Sequence, residues 1–153
     1  DVKKFVSNMY DTLYNTGNGI GLAAPQVGVT KRIIVIDLKE NEKSNPLTLI
    51  NPKIISKSNE EFINEEGCLS VPEYFAEVKR SKIIEYEFLD QDGKKFFSKA
   101  DGLLSICIQH EIDHLEGILF IDHLSPLRRK MALEKLKKIK KRIQKEEAVD
   151  TNE

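Results

Sequence analysis

One pentapeptide constrains this chain more than any other segment: His110-Glu111-Ile112-Asp113-His114. Its neighbours Leu103, Leu104, Ile106, Ile108 and Leu115 are apolar, which predicts a buried helix. Buried His and Glu side chains are costly unless they find partners. Helix positions four apart lie one above the other, about 5–6 Å between Cβ atoms. Two imidazoles so placed can converge on one metal ion, and Glu111 can reach a water on that ion. HExxH is the zinc-hydrolase signature for this reason, with two ligands and a general base. Two chance histidines on a surface helix are the plain alternative. Yet only three His occur in the chain, and two fall at this spacing with Glu between them. The metal site is the better reading.

Catalytic ions take three protein ligands and keep a position open. A metzincin would carry its third His six residues after His114, where this chain has Phe120. His123 lies beyond the helix stop, and local capping or packing suits it better. Glu134 would complete a thermolysin-type set. Cys107 stands seven residues from His114, about 10 Å along a helix axis, and reads as a small buried hydrophobe. Cys68 is the leading candidate. It lies in Glu65-Glu66-Gly67-Cys68-Leu69-Ser70-Val71-Pro72, where Gly67 permits unusual backbone and Pro72 limits ladder pairing. A thiolate in such a turn can swing toward a metal.

The rest of the chain predicts α+β architecture. Val2, Phe5, Val6, Met9 and Leu13 mark an amphipathic helix ending near Asn15-Thr16-Gly17. That helix opens at Asp1 without a lead-in, which suggests residues upstream and makes the lack of a targeting segment weak evidence. Residues 17–26 suit no regular helix. Arg32–Leu38 is a buried strand, 39–46 a surface loop, and Leu47–Ile50 and Lys53–Ser56 are short strands broken by Pro52. Ile84, Tyr86 and Phe88 alternate with Glu85 and Glu87, and Asp92-Gly93 turns the chain back into Lys95–Ser98. Asp101 should cap a helix over 102–115, stopped by Gly117. A last helix should run over 126–146 with the stripe Ala132, Leu136, Ile139 and Ile143.

Composition narrows the class. At 153 residues and 40% apolar, the chain is one domain's worth with a proper core. No apolar run approaches the roughly 18–20 residues of a membrane span. Two cysteines are too few for a disulfide scaffold, which favours a reducing, cytoplasmic setting. A net charge of −1 argues against a globally basic nucleic-acid binder. Gly19-x-Gly21-x-x-Ala24 formally fits a dinucleotide fingerprint. A helix rather than a strand precedes it, and Pro25 sits where the next helix should grow, so that reading is rejected.

Three segments taken together resemble the motifs of peptide deformylases: Gly19-Ile20-Gly21-Leu22-Ala23-Ala24-Pro25-Gln26, Glu66-Gly67-Cys68-Leu69-Ser70 and Gln109-His110-Glu111-Ile112-Asp113-His114-Leu115. Order and spacing fit, and the resemblance covers nearly the whole chain. It implies an α+β fold with antiparallel or mixed sheets packed around a central HExxH helix, and helices at both ends. One catalytic domain, 1–153, is expected, with 126–146 its C-terminal helix. The resemblance implies a metal held by Cys68, His110 and His114, with Fe2+ the usual native ion and Zn2+, Ni2+ or Co2+ able to replace it. It implies removal of the formyl group from the formyl-methionine of nascent chains. In that chemistry, hydroxide on the metal attacks the formyl carbon. Glu111 takes the proton and returns it to the departing amine. The Gln26 side-chain amide and the Leu69 backbone N–H stabilise the oxyanion. Gly21 would offer main-chain hydrogen bonds to the peptide. Gly19, Glu66, Ile106, Cys107 and His110 would line the methionine pocket. Plain core packing is the alternative for Ile106 and Cys107. Tyr74 and Phe75 should make an apolar rim. A zinc endopeptidase using His110, His114 and Glu134 is the rival enzyme. A non-catalytic ribosome-binding module is disfavoured by Glu111, since a closed structural site needs no base.

The final helix is strongly basic. Between Arg128 and Lys145, ten basic residues face the single acid Glu134, a net of +9 that leaves −10 on the remainder. A solvated outer face explains such a helix as readily as docking on ribosomal RNA. Salt-sensitive ribosome binding is the functional expectation. No membrane partner is expected, and the monomer is the expected state.

Overall fold

The computed structural model describes residues 1–15, 20–39, 43–68 and 71–151, with backbone only at 68, 71–73 and 149–151. Among the described residues, three α-helices and seven strands follow in the order α1 (Val2–Asn15), β1 (Gly21–Ala23), β2 (Ile33–Asp37), β3 (Pro46–Lys57), β4 (Glu61–Cys68), β5 (Val71–Ser81), β6 (Ile83–Leu89), β7 (Lys95–Asp101), α2 (Leu103–Leu115) and α3 (Pro126–Thr151). The α+β expectation holds. The residues group into two compact units, 1–63 with 79–118 and 64–78 with 119–153.

The first unit is built on a five-stranded sheet in the order β1-β2-β3-β6-β7, antiparallel at each junction. Its plan follows from β2. All five β2 residues are buried, because side chains alternate across a strand and both faces are covered. Ile33 and Val35 pack with Val6, Met9 and Leu13 of α1. Ile34 and Ile36 pack with Cys107, Ile108 and Ile112 of α2. The α2-side cluster continues through Leu49, Ile84, Tyr86 and Ala100. One helix thus covers each face of the sheet, and α2 lies on the larger cluster.

The second unit has its own small core, with Val78, Phe120, Ile121, Ala132 and Leu136 buried together. A 3-10 turn over Phe120–His123 precedes α3. Asp122 holds it, accepting from the Leu119 N–H at 3.0 Å and from Arg129 Nε at 2.8 Å. The stripe of α3 is buried at Ala132, Leu136 and Ile139, and Ile143 is half-buried.

Several boundaries differ from the sequence reading. Pro52 does not break β3. The register shifts between Ile50 and Lys53, and Asn51 adopts φ 50, so Pro52 falls in a bulge where no ladder N–H is demanded. Asp101 ends β7 and does not cap α2; Gly102 occupies that position with φ 65 and no side-chain cap. Gly117 does stop α2, in the left-handed region at φ 76. Around Cys68, β4 runs up to Cys68 and β5 resumes at Val71, and the expected turn at 69–70 lies outside the described residues. Gly67 is extended, and its requirement is space. A Cβ there would collide with the Phe75 ring. Within 17–26, β1 is followed by a 3-10 turn over Ala24–Val27. The last helix runs to Thr151, five residues beyond its expected end. The expected stop at Gly17 lies outside the described residues.

Candidate metal centre

Helix α2 presents a different chemistry on each side. Cys107, Ile108 and Ile112 face the apolar core of the sheet. His110 and His114, one turn apart, bring their Nε2 atoms to 3.2 Å with the rings edge to face at 76°. Glu111 is buried beside them, and the ligand atoms of His110, Glu111 and His114 all lie within 4.8 Å of one another.

This donor set suits a divalent ion. Two nitrogens bound at about 2.0–2.1 Å to a tetrahedral centre stand roughly 3.3–3.4 Å apart, close to the spacing here. In a pair of neutral imidazoles only one of two facing nitrogens can carry a proton for the other. A metal would use both lone pairs at once.

Strand β1 places the remaining groups. Gly21 backs directly onto Glu111. A Cβ at Gly21 would stand 2.9 Å from Glu111 Oε1 and 3.1 Å from its Cγ, so only glycine leaves the carboxylate its present position. Beyond β1, the Gln26 side-chain oxygen accepts from the Ala23 N–H at 2.8 Å. That bond orients the amide and leaves its NH2 end as the one that can donate onward. Gly28, at φ 80, closes the 3-10 turn that carries Gln26.

Other expected site residues are distributed as follows. Ile106 and Cys107 are buried in α2. Glu66 is buried in β4, within the second unit. Gly19 and Leu69 lie outside the described residues, as does the Cys68 side chain. The two expected rim residues differ in exposure. Tyr74 is half-buried and stacks on Phe120 at 6.3 Å, with Lys135 over its ring. Phe75 is 64% exposed.

Sequence reasoning missed one constellation. Ser105, Gln109 and Asp113 form a polar stripe along α2. Ser105 Oγ and Gln109 Nε2 both donate to the Ser81 carbonyl, at 3.0 and 2.8 Å. Arg80 Nη1 donates to Asp113 Oδ2 at 2.8 Å, and the Arg80 side chain is only 4% exposed. The signal was present as three polar residues at a strict spacing of four along α2, beside the His110-Glu111-His114 set.

Comparison with known proteins agrees with the geometry. A family model described as polypeptide deformylase matches residues 1–130. Peptide deformylase 2 of Vibrio vulnificus (strain CMCP6) is 53% identical over 137 residues, covering 90% of this chain and 80% of that protein. The Rhizobium meliloti (strain 1021) peptide deformylase is 48% identical over 142 residues, covering 92% and 81%. The crystal structure of a peptide deformylase from Legionella pneumophila superposes with a TM-score of 0.83 at 45% identity, over 94% of this chain and 82% of that one. A peptide deformylase from Synechococcus elongatus, solved in complex with actinonin, gives 0.80 at 46% identity, over 88% and 73%. Sequence and fold thus agree over most of the length, and the chain belongs to the peptide deformylases, metal-dependent hydrolases that remove the N-formyl group from newly made proteins.

Proposed function

We propose that Cys68, His110 and His114 hold the metal of this deformylase and that Glu111 carries the proton of the reaction. The supporting observation is the pairing of two imidazole nitrogens 3.2 Å apart with a carboxylate confined against Gly21. The ion supplies Lewis acidity, which makes a water nucleophilic near neutral pH. Glu111 removes that water's proton and delivers it to the departing amine. The Gln26 amide, oriented by the Ala23 N–H, donates to the oxygen that gains charge as the formyl carbon becomes tetrahedral. The Leu69 backbone N–H is its partner in this role, on the strength of the Glu66–Ser70 motif. Formate and a free methionine terminus are the products.

Ferrous iron is the proposed native ion. A thiolate with two imidazoles also accepts zinc, nickel or cobalt. Gly19, Gly21, Glu66, Ile106, Cys107 and His110 are proposed to receive the formyl-methionine, and Phe75 to favour apolar residues after it. The chain works as one catalytic domain, a monomer of the cytoplasm, and the basic α3 docks on the ribosome where its substrate emerges.

Formate release from formyl-Met-Ala-Ser, with anaerobically purified and metal-analysed protein, is the central test. Glu111→Gln should lower kcat by about 10²–10⁴-fold with metal retained. Cys68→Ala should lose the metal. Retention of metal in Cys68→Ala, with loss in Glu134→Ala, would transfer the third ligand to Glu134. No formate release in any metal form would reject the assignment of these residues.

A further inference from the structure

The hydrophobic effect buries α2 without telling it which way to turn, since apolar contact is not directional. Leu104, Ile108, Ile112 and Leu115 would tolerate a modest rotation or slide along the sheet. Hydrogen bonds would not. Ser105, Gln109 and Asp113 each reach one of two consecutive residues, Arg80 and Ser81, over about two turns of helix. Gln109 also bonds Ser105 Oγ at 3.0 Å, which ties the stripe to itself. The stripe lies roughly a third of a turn around the helix from His110 and His114, at 100° per residue. Asp113 immediately precedes His114 in the chain.

We infer that Arg80 is a positioning residue: with the Ser81 carbonyl it grips the stripe and fixes the rotation of α2, and so the aim of His110 and His114. This rests on the proposed role of the two histidines as ligands. The Arg80–Asp113 pair is nearly dry, and such pairs are poor contributors to net stability. Replacing both partners by apolar groups of similar size removes the two charges of this pair together. Directional hold is then removed while the core stays filled.

The test uses metal-loaded protein in four forms: wild type, Arg80→Met with Asp113→Leu, Asp113→Asn, and Val6→Ala as a destabilised control in the α1 core. Three quantities are read while each form is folded by circular dichroism: the rate of metal release to a chelator, kcat and KM. The paired variant should release metal at least tenfold faster and lose at least tenfold in kcat, with KM within twofold of wild type. Asp113→Asn, which keeps an acceptor for Arg80, should restore most of both. Val6→Ala should melt lower yet release metal at the wild-type rate. Wild-type release and kcat in the folded paired variant would overturn the inference. Should that variant not fold, Asp113→Ala replaces it, with the same two outcomes. The ligand reading fails separately, if His114→Ala retains the metal.

Discussion

Gly21 and Glu111 occupy one another's space: a methyl group on the first would stand 2.9 Å from the carboxylate oxygen of the second. The edge strand therefore sets where the Glu111 carboxylate can be. Gly21→Ala should displace Glu111 by a few tenths of an ångström or more. Misplacing a catalytic group on the scale of an ångström can cost on the order of 10²-fold. The expected result is a 10–100-fold fall in kcat. Metal content should be unchanged. Steady-state kinetics beside metal analysis of the same preparation checks this.

Metal binding should also appear as stability. Any ligand bound only by the folded state raises the melting temperature with its concentration. Stripping the ion with a chelator should lower Tm, and re-adding a divalent ion should restore it. His110→Ala should remove that response, while Glu111→Gln should keep it. Differential scanning calorimetry across a metal titration distinguishes the two.

These predictions fall where the sequence was most informative, and the reason is chemical. The His110–His114 spacing works only on a helix, so motif and element implied each other. Strand β2 was equally plain, because a strand covered on both faces is apolar throughout. The strands β4 and β5 were not visible. β4 carries Glu61, Glu65 and Glu66 and leaves Phe62 and Ile63 exposed, so it shows no alternation to read. What defines it is its partner strand, which no local window contains. Pro52 and Asp101 misled for a similar reason. A bulge and a glycine at φ 65 resolved locally what propensity alone resolves otherwise. Of the site, the His110, Glu111 and His114 cluster could be read, whereas the grip of Arg80 and Ser81 on α2 could not. It joins residues more than twenty apart in sequence.

Asp37 should mark the acid limit of the fold. Burial alone would raise its pKa. Hydrogen bonds from Ser44 Oγ, the Asn45 N–H, Tyr14 OH and the Lys39 N–H outweigh that and hold the carboxyl well below its ordinary value of 3.8. A depressed folded pKa means the contribution is full above the unfolded value and is lost as pH falls below it toward the folded one. Urea midpoints should therefore drop between pH 5 and about 2 in the wild type. Asp37→Asn should be less stable at pH 7 and show a shallower drop. Equal slopes in the two proteins would remove Asp37 from this role.

The basic helix requires a milder test than truncation. Ala132 and Leu136 of α3 belong to the core of the second unit, so removing the helix would expose Phe120 and Ile121. Lys137, Lys138, Lys141 and Lys145 are exposed. Reversing them to Glu changes the charge of the helix by −8 without touching that core. Co-sedimentation with ribosomes should be abolished by the reversal and weakened by salt in the wild type. Formate release from a free tripeptide should be unaffected.

Because β2 is apolar on both faces, its own side chains hold little information about register. A slip of one residue would merely exchange one set of isoleucines for another. Asp37 supplies what they lack. Its carboxylate meets Tyr14 of α1 and the N–H groups of Lys39 and Asn45 in one alignment only. The same strand end receives the Ile20 carbonyl on its backbone N–H at 2.8 Å, one residue before β1 begins. A single polar residue at the end of a greasy strand thus works as an address label. It tells the sheet that Val35 belongs opposite Leu22, and through β1 where the wall behind Glu111 must stand.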